Sequence, residues 1–216
     1  MDVMKIEIWS DVVCPWCYIG KRRLESALAG FEHRSEVEIV WRSFELDPNA
    51  PQRFEGTSNE RLAKKYGMSP AQADAAHNRI TTLGAEEGLE YHFESAQYGN
   101  SFDAHRLIHF AETKGLQGAM KERLLKAYFS EGLAISDQDT LVRIASEMGI
   151  APEEARRVLE SDAYARDVRA DEERAVKAGI HGVPFFLVDG KYGISGAQPS
   201  EVFLEVLEKA WNDSPR

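Results

Sequence analysis

The stretch Lys5-Ile6-Glu7-Ile8-Trp9-Ser10-Asp11-Val12-Val13-Cys14-Pro15-Trp16-Cys17 decides how this chain is read. Ile6 and Ile8 alternate with charged Lys5 and Glu7, a period of two that predicts a strand over residues 5–9. Ser10 and Asp11 mark a turn, and beyond Pro15 the residues Gly20, Leu24, Ala27, Leu28 and Phe31 recur at helical spacing. An amphipathic helix is therefore expected to about Phe31, and Cys14-x-x-Cys17 falls where a strand feeds a helix. Residues 37–44 are rich in β-branched and aromatic side chains and predict a second strand. The three elements form a β-α-β unit, whose strands run parallel through a right-handed crossover.

A CxxC in that setting reads as a redox pair. A thiolate at a helix N-terminus meets unpaired N–H groups and the positive end of the helix dipole, which favours the charged form. The expectation is a Cys14 thiol that ionises more readily than a free thiol and attacks first, with Cys17 one turn in, shielded, as the resolving thiol. Pro15 suits the helix start because its missing N–H is not needed there. Two inert buried thiols or a zinc site are the competing readings. Zinc wants four ligands in a structural site, and no second CxxC exists, so no metal is expected. Trp16 is either a packing residue or an exposed side chain that touches the substrate; between two cysteines at a helix start the second reading is preferred.

Working outward, strand patterns vanish after about residue 47 and helical periodicity takes over to residue 179. Leu107, Ile108, Phe110 and Ala111 mark one helix, and Met120, Leu124, Leu125 and Phe129 another. Leu141, Ile144, Ala145 and Met148 mark a third, begun at Ser136 or Asp137. Pro152-Glu153-Glu154 starts a helix, from which a long charged helix runs to Gly179. Residues 52–59 are polar and contain a glycine, and read as a mobile loop. Strand pattern returns at residues 184–188, Asp189-Gly190 is a hairpin signal, and residues 191–195 are the returning strand. Pro199 then opens a last amphipathic helix with Val202, Phe203, Val206, Leu207 and Ala210. The domain reading is residues 1–46 and 180–216 as one α/β domain, with 47–179 as a helical insertion.

The composition narrows function. The chain has 216 residues, 43% of them hydrophobic, so it buries a sizeable core. Lys and Arg number 26 against 36 Asp and Glu, a net charge of −10. An acidic surface repels phosphate backbones, so neither nucleic acid nor an anionic membrane is an expected partner. Two cysteines exclude a disulfide-stapled scaffold. The opening residues carry acids where a signal peptide would be basic, no apolar run nears the ~18 residues of a membrane span, and the expected location is the cytoplasm.

With Gly179-Ile180-His181-Gly182-Val183-Pro184 added to the CPWC, the chain resembles the thioredoxin superfamily. In form it resembles the DsbA family, a thioredoxin-like fold with a large helical insertion, and within it the FrnE-like branch. Trp9-Ser10-Asp11-Val12-Val13-Cys14-Pro15-Trp16-Cys17-Tyr18-Ile19-Gly20, Asn100-Ser101-Phe102-Asp103-Ala104-His105-Arg106-Leu107, Val183-Pro184-Phe185-Phe186 and Ser195-Gly196-Ala197-Gln198-Pro199 carry that resemblance. Some relatives hold further cysteines near the C-terminus, which this chain lacks. The resemblance implies a cis Pro184 beside the CxxC and a Val183 backbone offered to an extended thiol substrate; an ordinary trans proline opening a strand is the alternative. Asn100 and His105 then either bring a polar group over Cys14 or serve as a helix-cap residue and a satisfied buried histidine. Ser195 and Gln198 either dock an anion such as a glutathione carboxylate or cap their own helix. Asp11 is either a buried acid assisting proton transfer from Cys17 or a turn cap, and His181 either tunes the disulfide or is a solvated loop residue.

The implied activity is thiol–disulfide exchange with a protein or small-molecule thiol or disulfide, without a cofactor, glutathione entering at most as co-substrate. Because Trp16 cannot hydrogen-bond a thiolate as strongly as a histidine, a less oxidising protein than the periplasmic relatives is expected. The alternative is a glutathione-dependent isomerase or transferase resembling the hydroxychromene-carboxylate isomerase and kappa-class branch, which carries Ser where this chain has Cys14. A binding or chaperone protein with an idle redox site is a third reading. A monomer or a homodimer suits any of them.

Overall fold

β1 (Met4–Ser10) is the strand on which the sheet is built, and the computed structural model describes residues 3–214. Met4, Ile6 and Ile8 are fully buried. β2 (Val37–Ser43) runs parallel to β1, with Ile6 opposite Ile39 and Ile8 opposite Trp41. β3 (Phe185–Val188) lies antiparallel on the other side of β1, with Ile8 opposite Phe186, and β4 (Tyr192–Ser195) closes the order β2-β1-β3-β4. Asp189 and Gly190 both take positive φ, 49° and 66°, the geometry that a tight two-residue hairpin requires. α1 (Pro15–Gly30) supplies the crossover from β1 to β2, and α9 (Ser200–Asp213) packs against it. Phe186 meets Phe203 of α9 edge to face at 4.7 Å.

α8 (Ala165–Lys177) serves the sheet as well. Its Asp171 carbonyl accepts the indole N–H of Trp9 at 2.9 Å, and its Asp171 carboxylate accepts the Ser43 N–H at 3.0 Å. Trp9, Ala175 and Ile180 form a buried cluster with Phe44, Val183, Phe185 and Leu187 packed on it. Glu7 is held by Arg42 and Arg174, which together pull its carboxyl below the usual range against the effect of burial. The fold is thus α/β and thioredoxin-like, with a four-stranded mixed sheet and an inserted helical region.

The chain divides into two compact units, one of residues up to Leu46 with those from Val168 on, the other Asp47–Asp167. The second boundary therefore falls inside α8, not at residues 179–180. The contacts of Asp171 and Ala175 with the sheet are the reason.

The helical unit contains α2 (Ser58–Tyr66), α3 (Pro70–Glu86), α4 (Phe102–Glu112), α5 (Gln117–Phe129), α6 (Gln138–Glu147) and α7 (Pro152–Leu159). No strand interrupts residues 47–167. Leu107, Met120, Leu124, Leu125, Leu141 and Ile144 are fully buried at its centre. α2 and α3 each open on a capping box, Thr57 with Glu60 and Ser69 with Gln72. α2 starts inside the stretch read as a mobile loop. The long charged helix expected from Pro152 to Gly179 is two helices, α7 and α8. Arg106 of α4, 4% exposed, ends the first: its guanidinium donates to the carbonyls of Val158, Leu159, Ser161 and Ala163 and pairs with Asp103. Those carbonyls are turned from helix propagation toward one cation, and Tyr164 follows at φ 61°.

Candidate active site

Cys14 is the N-cap of α1, in extended conformation at φ −99° and ψ 111°. Its carbonyl accepts the Cys17 N–H at 3.0 Å, which closes the first turn and brings both sulfurs to one face of the helix start. Both cysteines are free thiols, Cys14 4% and Cys17 1% exposed. Trp16, between them, is 36% exposed, so it is not a core packing residue.

The Cys14 thiol donates to the Val183 carbonyl at 3.6 Å, a sulfur hydrogen bond across 169 residues of sequence. The Val183–Pro184 peptide bond is cis, and the Pro184 carbonyl is held by the Gly196 N–H at 2.8 Å. Pro184 sits so near α1 that a Cβ on Gly20 would lie 3.0 Å from its Cγ and 3.2 Å from Phe186 Cζ. Glycine at position 20 spares the helix and the proline loop that tight contact. Arg23 ties the same loop to α1 by donating to the Ala197 carbonyl at 2.7 Å. Cys14, Trp16, Cys17, Val183 and Pro184 are thereby brought together in the sheet unit.

The two thiols titrate as a pair. The hydrogen bond with Cys17, then burial, then the charge of Cys17, with a smaller push from Asp11, raise the Cys14 thiol well above the ordinary range. This reverses the expectation of an easily ionised Cys14. The helix start and the Cys17 N–H do favour the thiolate, but loss of water and neighbouring negative charge outweigh them in the reduced pair.

Asp11 is fully buried and accepts the Val13 N–H at 3.4 Å and the Leu46 N–H at 2.8 Å. It thus fills the expected turn role, and it is buried three residues before Cys14. Glu45 was not singled out in the sequence. Its side chain is fully buried against Arg169, and burial, opposed by Arg169 and reinforced by Glu172 and Asp11, raises its carboxyl to about 7. The available signal was an acid between Phe44 and Leu46 at the end of an apolar strand.

The other expected residues make local contacts. Asn100 lies in the helical unit, where its side chain accepts the Phe102 N–H at 2.8 Å and donates to the Ala50 carbonyl at 3.3 Å. That is a turn-forming role with both ends of the amide engaged. His105 is buried on α4, four residues before His109, and among the described residues no group of three metal-ligating side chains forms around them. Gln198 donates to the Ser195 carbonyl at 2.9 Å, and Pro199 occupies the cap of α9, so neither Ser195 nor Gln198 caps that helix. His181 is exposed.

The profile of the DSBA-like thioredoxin domain family matches residues 5–208, and the chain belongs to that family. Among solved structures, the probable DsbA oxidoreductase SCO1869 from Streptomyces coelicolor is 44% identical, with a TM-score of 0.94 over 99% of this chain and 92% of that one. The uncharacterized protein YwbO of Bacillus subtilis (strain 168) is 29% identical over 98% of this chain and 97% of its own. The cytosolic disulfide reductase DsbM from Pseudomonas aeruginosa shares the fold at 19% identity, with a TM-score of 0.66 over 97% of this chain and all of that one.

Proposed function

We propose that the protein is a disulfide oxidoreductase that works mainly as a reductase or isomerase, in the cytoplasm, on protein or small-molecule disulfides. The observation that carries this reading is the Cys14 thiol set on the Val183 carbonyl with Cys17 one turn behind it. An extended substrate that pairs with the Val183 backbone presents its own sulfur to Cys14. The Cys14 thiolate attacks a substrate disulfide, one substrate sulfur leaves as a thiolate, and a mixed disulfide remains. Cys17 then attacks Sγ of Cys14, the second substrate sulfur leaves, and two electrons have passed from the protein dithiol to the substrate. A thiol reductant such as glutathione restores the dithiol.

The direction follows from the thiol chemistry. Strong oxidants of this fold stabilise their reduced form through a favoured thiolate, and potentials span about −270 to −120 mV. Here the Cys14 thiolate is disfavoured and Trp16 replaces a stronger donor in the spacer, which supports the reducing end. The FrnE-like branch is supported by the motifs around residues 9–20 and 100–107. Against the isomerase or transferase reading stands Cys14 itself, backed by a resolving Cys17.

The test is reduction of insulin by dithiothreitol with and without the protein. Acceleration is expected for the wild type and none for Cys14→Ser, while Cys17→Ser should accumulate mixed disulfides visible by mass. A wild type that leaves insulin reduction at its uncatalysed rate would refute the reading.

A further inference from the structure

α2 and α3 pack on each other and add little to the core of the helical unit, for α2 buries no residue and α3 only Ala73 and Gly84. What lies beside them is polar. A cleft of about 460 Å³ has Asn59 from α2, Asp74 and His77 from α3, and Phe93 and Glu94 from the segment before α4 in its walls. That volume falls in the range of small-molecule sites. No Lys or Arg is among the described residues that line it, whereas two other clefts of the helical unit are each lined by Arg53.

The hydrogen bonds in this cleft run in one direction. The Asp74 carboxylate can only accept, so the Asn59 amide turns its N–H toward it. The Asn59 oxygen is thereby left for His77 Nδ1, which must donate. Burial holds the ring below the usual histidine range, with Arg61 of α2 adding to that effect and Asp74 opposing it, so the ring is neutral at pH 7. Its proton is on Nδ1, and Nε2 keeps a lone pair. Phe93 stacks on the ring at 4.2 Å with 11° between the planes and fixes its orientation. Glu94 follows directly, held below the usual carboxylate range by its own backbone N–H and by His92. Arg61 is turned to the Tyr98 ring, 3.3 Å from its centroid. The cleft therefore presents two carboxylates and an imidazole lone pair with no cation in its walls. An anionic ligand meets only repulsion there. An alkylammonium, with three N–H donors and no lone pair, complements all three groups.

We propose that this cleft binds a small organic amine, whose ammonium N–H groups donate to Nε2 of His77 and whose charge is answered by Asp74 and Glu94. The site lies within the helical unit and makes no use of the dithiol, so it stands or falls apart from the disulfide reading. The histidine gives the site a signature that two acids alone would lack. A proton on Nε2 turns the acceptor into a donor and sets a like charge against the ammonium. The charged groups that face the ring are Asp74 of its own helix, Arg61 of α2 and Glu94 in the opposite wall. Amine binding should therefore weaken in step with the protonation of His77. Two ordinary carboxylates alone would keep hold of an amine down to about pH 4.5.

The experiment follows the His77 ring resonances of the full-length protein by NMR while 1,4-diaminobutane is added, at a series of pH values. Glucose and butyrate at equal concentration, and sodium chloride at equal ionic strength, are the comparators. At neutral pH the His77 signals are expected to shift and saturate with a dissociation constant of about 1 mM, with the diamine alone. Glu94→Gln changes an exposed side chain and should weaken binding about threefold, the worth of one exposed ion pair. As the same resonances report protonation of His77, the affinity should fall by about tenfold or more, the effect of one like charge at close range. That fall should persist in His92→Asn, which removes the ring that pairs with Glu94 at 2.9 Å. No saturable shift, or an equal shift with sodium chloride, would overturn the site. Glucose binding as tightly as the diamine would overturn the amine as its ligand. Diamine affinity that ignores the protonation of His77 would overturn the part given to Nε2.

Discussion

The two units keep their shape by different means. The sheet unit is ordered by backbone register: β1 pairs on both sides, and every residue that bears sulfur chemistry is placed by that pairing or by the first turn of α1. The helical unit has no such ladder and depends on side-chain devices, the capping boxes at Thr57 and Ser69 and the buried guanidinium of Arg106. Backbone register tolerates many surface changes but few close contacts. A helical assembly fastened by side chains should fail one fastener at a time.

Substitution of Arg106 tests that contrast most severely. Arg106→Met takes the cation from Asp103 and the Arg106 donor from the carbonyls of Val158, Leu159, Ser161 and Ala163, while Gln138 still donates to Asp103 and Leu159 and Ser161 to Val158. A loss of about 3 kcal/mol or more is expected, measured by urea denaturation. A loss below about 1 kcal/mol would show that the helical unit does not depend on this side chain.

In the sheet unit the sensitive point is a contact. Gly20→Ala would put a Cβ 3.0 Å from Pro184 Cγ and 3.2 Å from Phe186 Cζ, tight enough that one of the two rings must give by a few tenths of an ångström. About 1–2 kcal/mol of destabilisation is expected, together with slower insulin reduction, because the loop that carries Val183 must shift. Unchanged stability with unchanged turnover would mean that the approach of α1 to the proline loop is not tight. The mildest change is Thr57→Ala, which removes one half of a capping box on exposed α2. It should cost about 1 kcal/mol, read from the thermal midpoint, and leave insulin reduction as it was.

The part of the fold that follows simple periodicity was legible in the sequence. Alternation over residues 5–9, the Asp189-Gly190 hairpin and the CPWC at a strand-to-helix junction led directly to the sheet and the dithiol. α2 and α3 lie in the stretch read as helical but were not singled out, because α2 has few apolar residues and α3 a weak apolar periodicity, although Thr57-x-x-Glu60 and Ser69-x-x-Gln72 spelled their starts. The break between α7 and α8 was illegible for a deeper reason. It depends on Arg106, about fifty residues earlier, and no local pattern announces a cation that collects carbonyls from another segment. Glu45 and the direction of the Cys14 shift were hidden likewise, since both depend on burial and on which charges meet in space.

The hydrogen bond from Cys14 to Val183 also has a history in time. Its partners lie 169 residues apart, and β3, which follows Val183, is the strand that completes the pairing of β1. On a ribosome the helical segment emerges between them, and its contacts are largely local, so it can form early. The nucleophile is thus synthesised long before the carbonyl that receives its proton-bearing sulfur. Until residues 183–188 are made, Cys14 lacks that carbonyl and β1 lacks its antiparallel partner. The dithiol and the proline loop come together only when β3 pairs with β1.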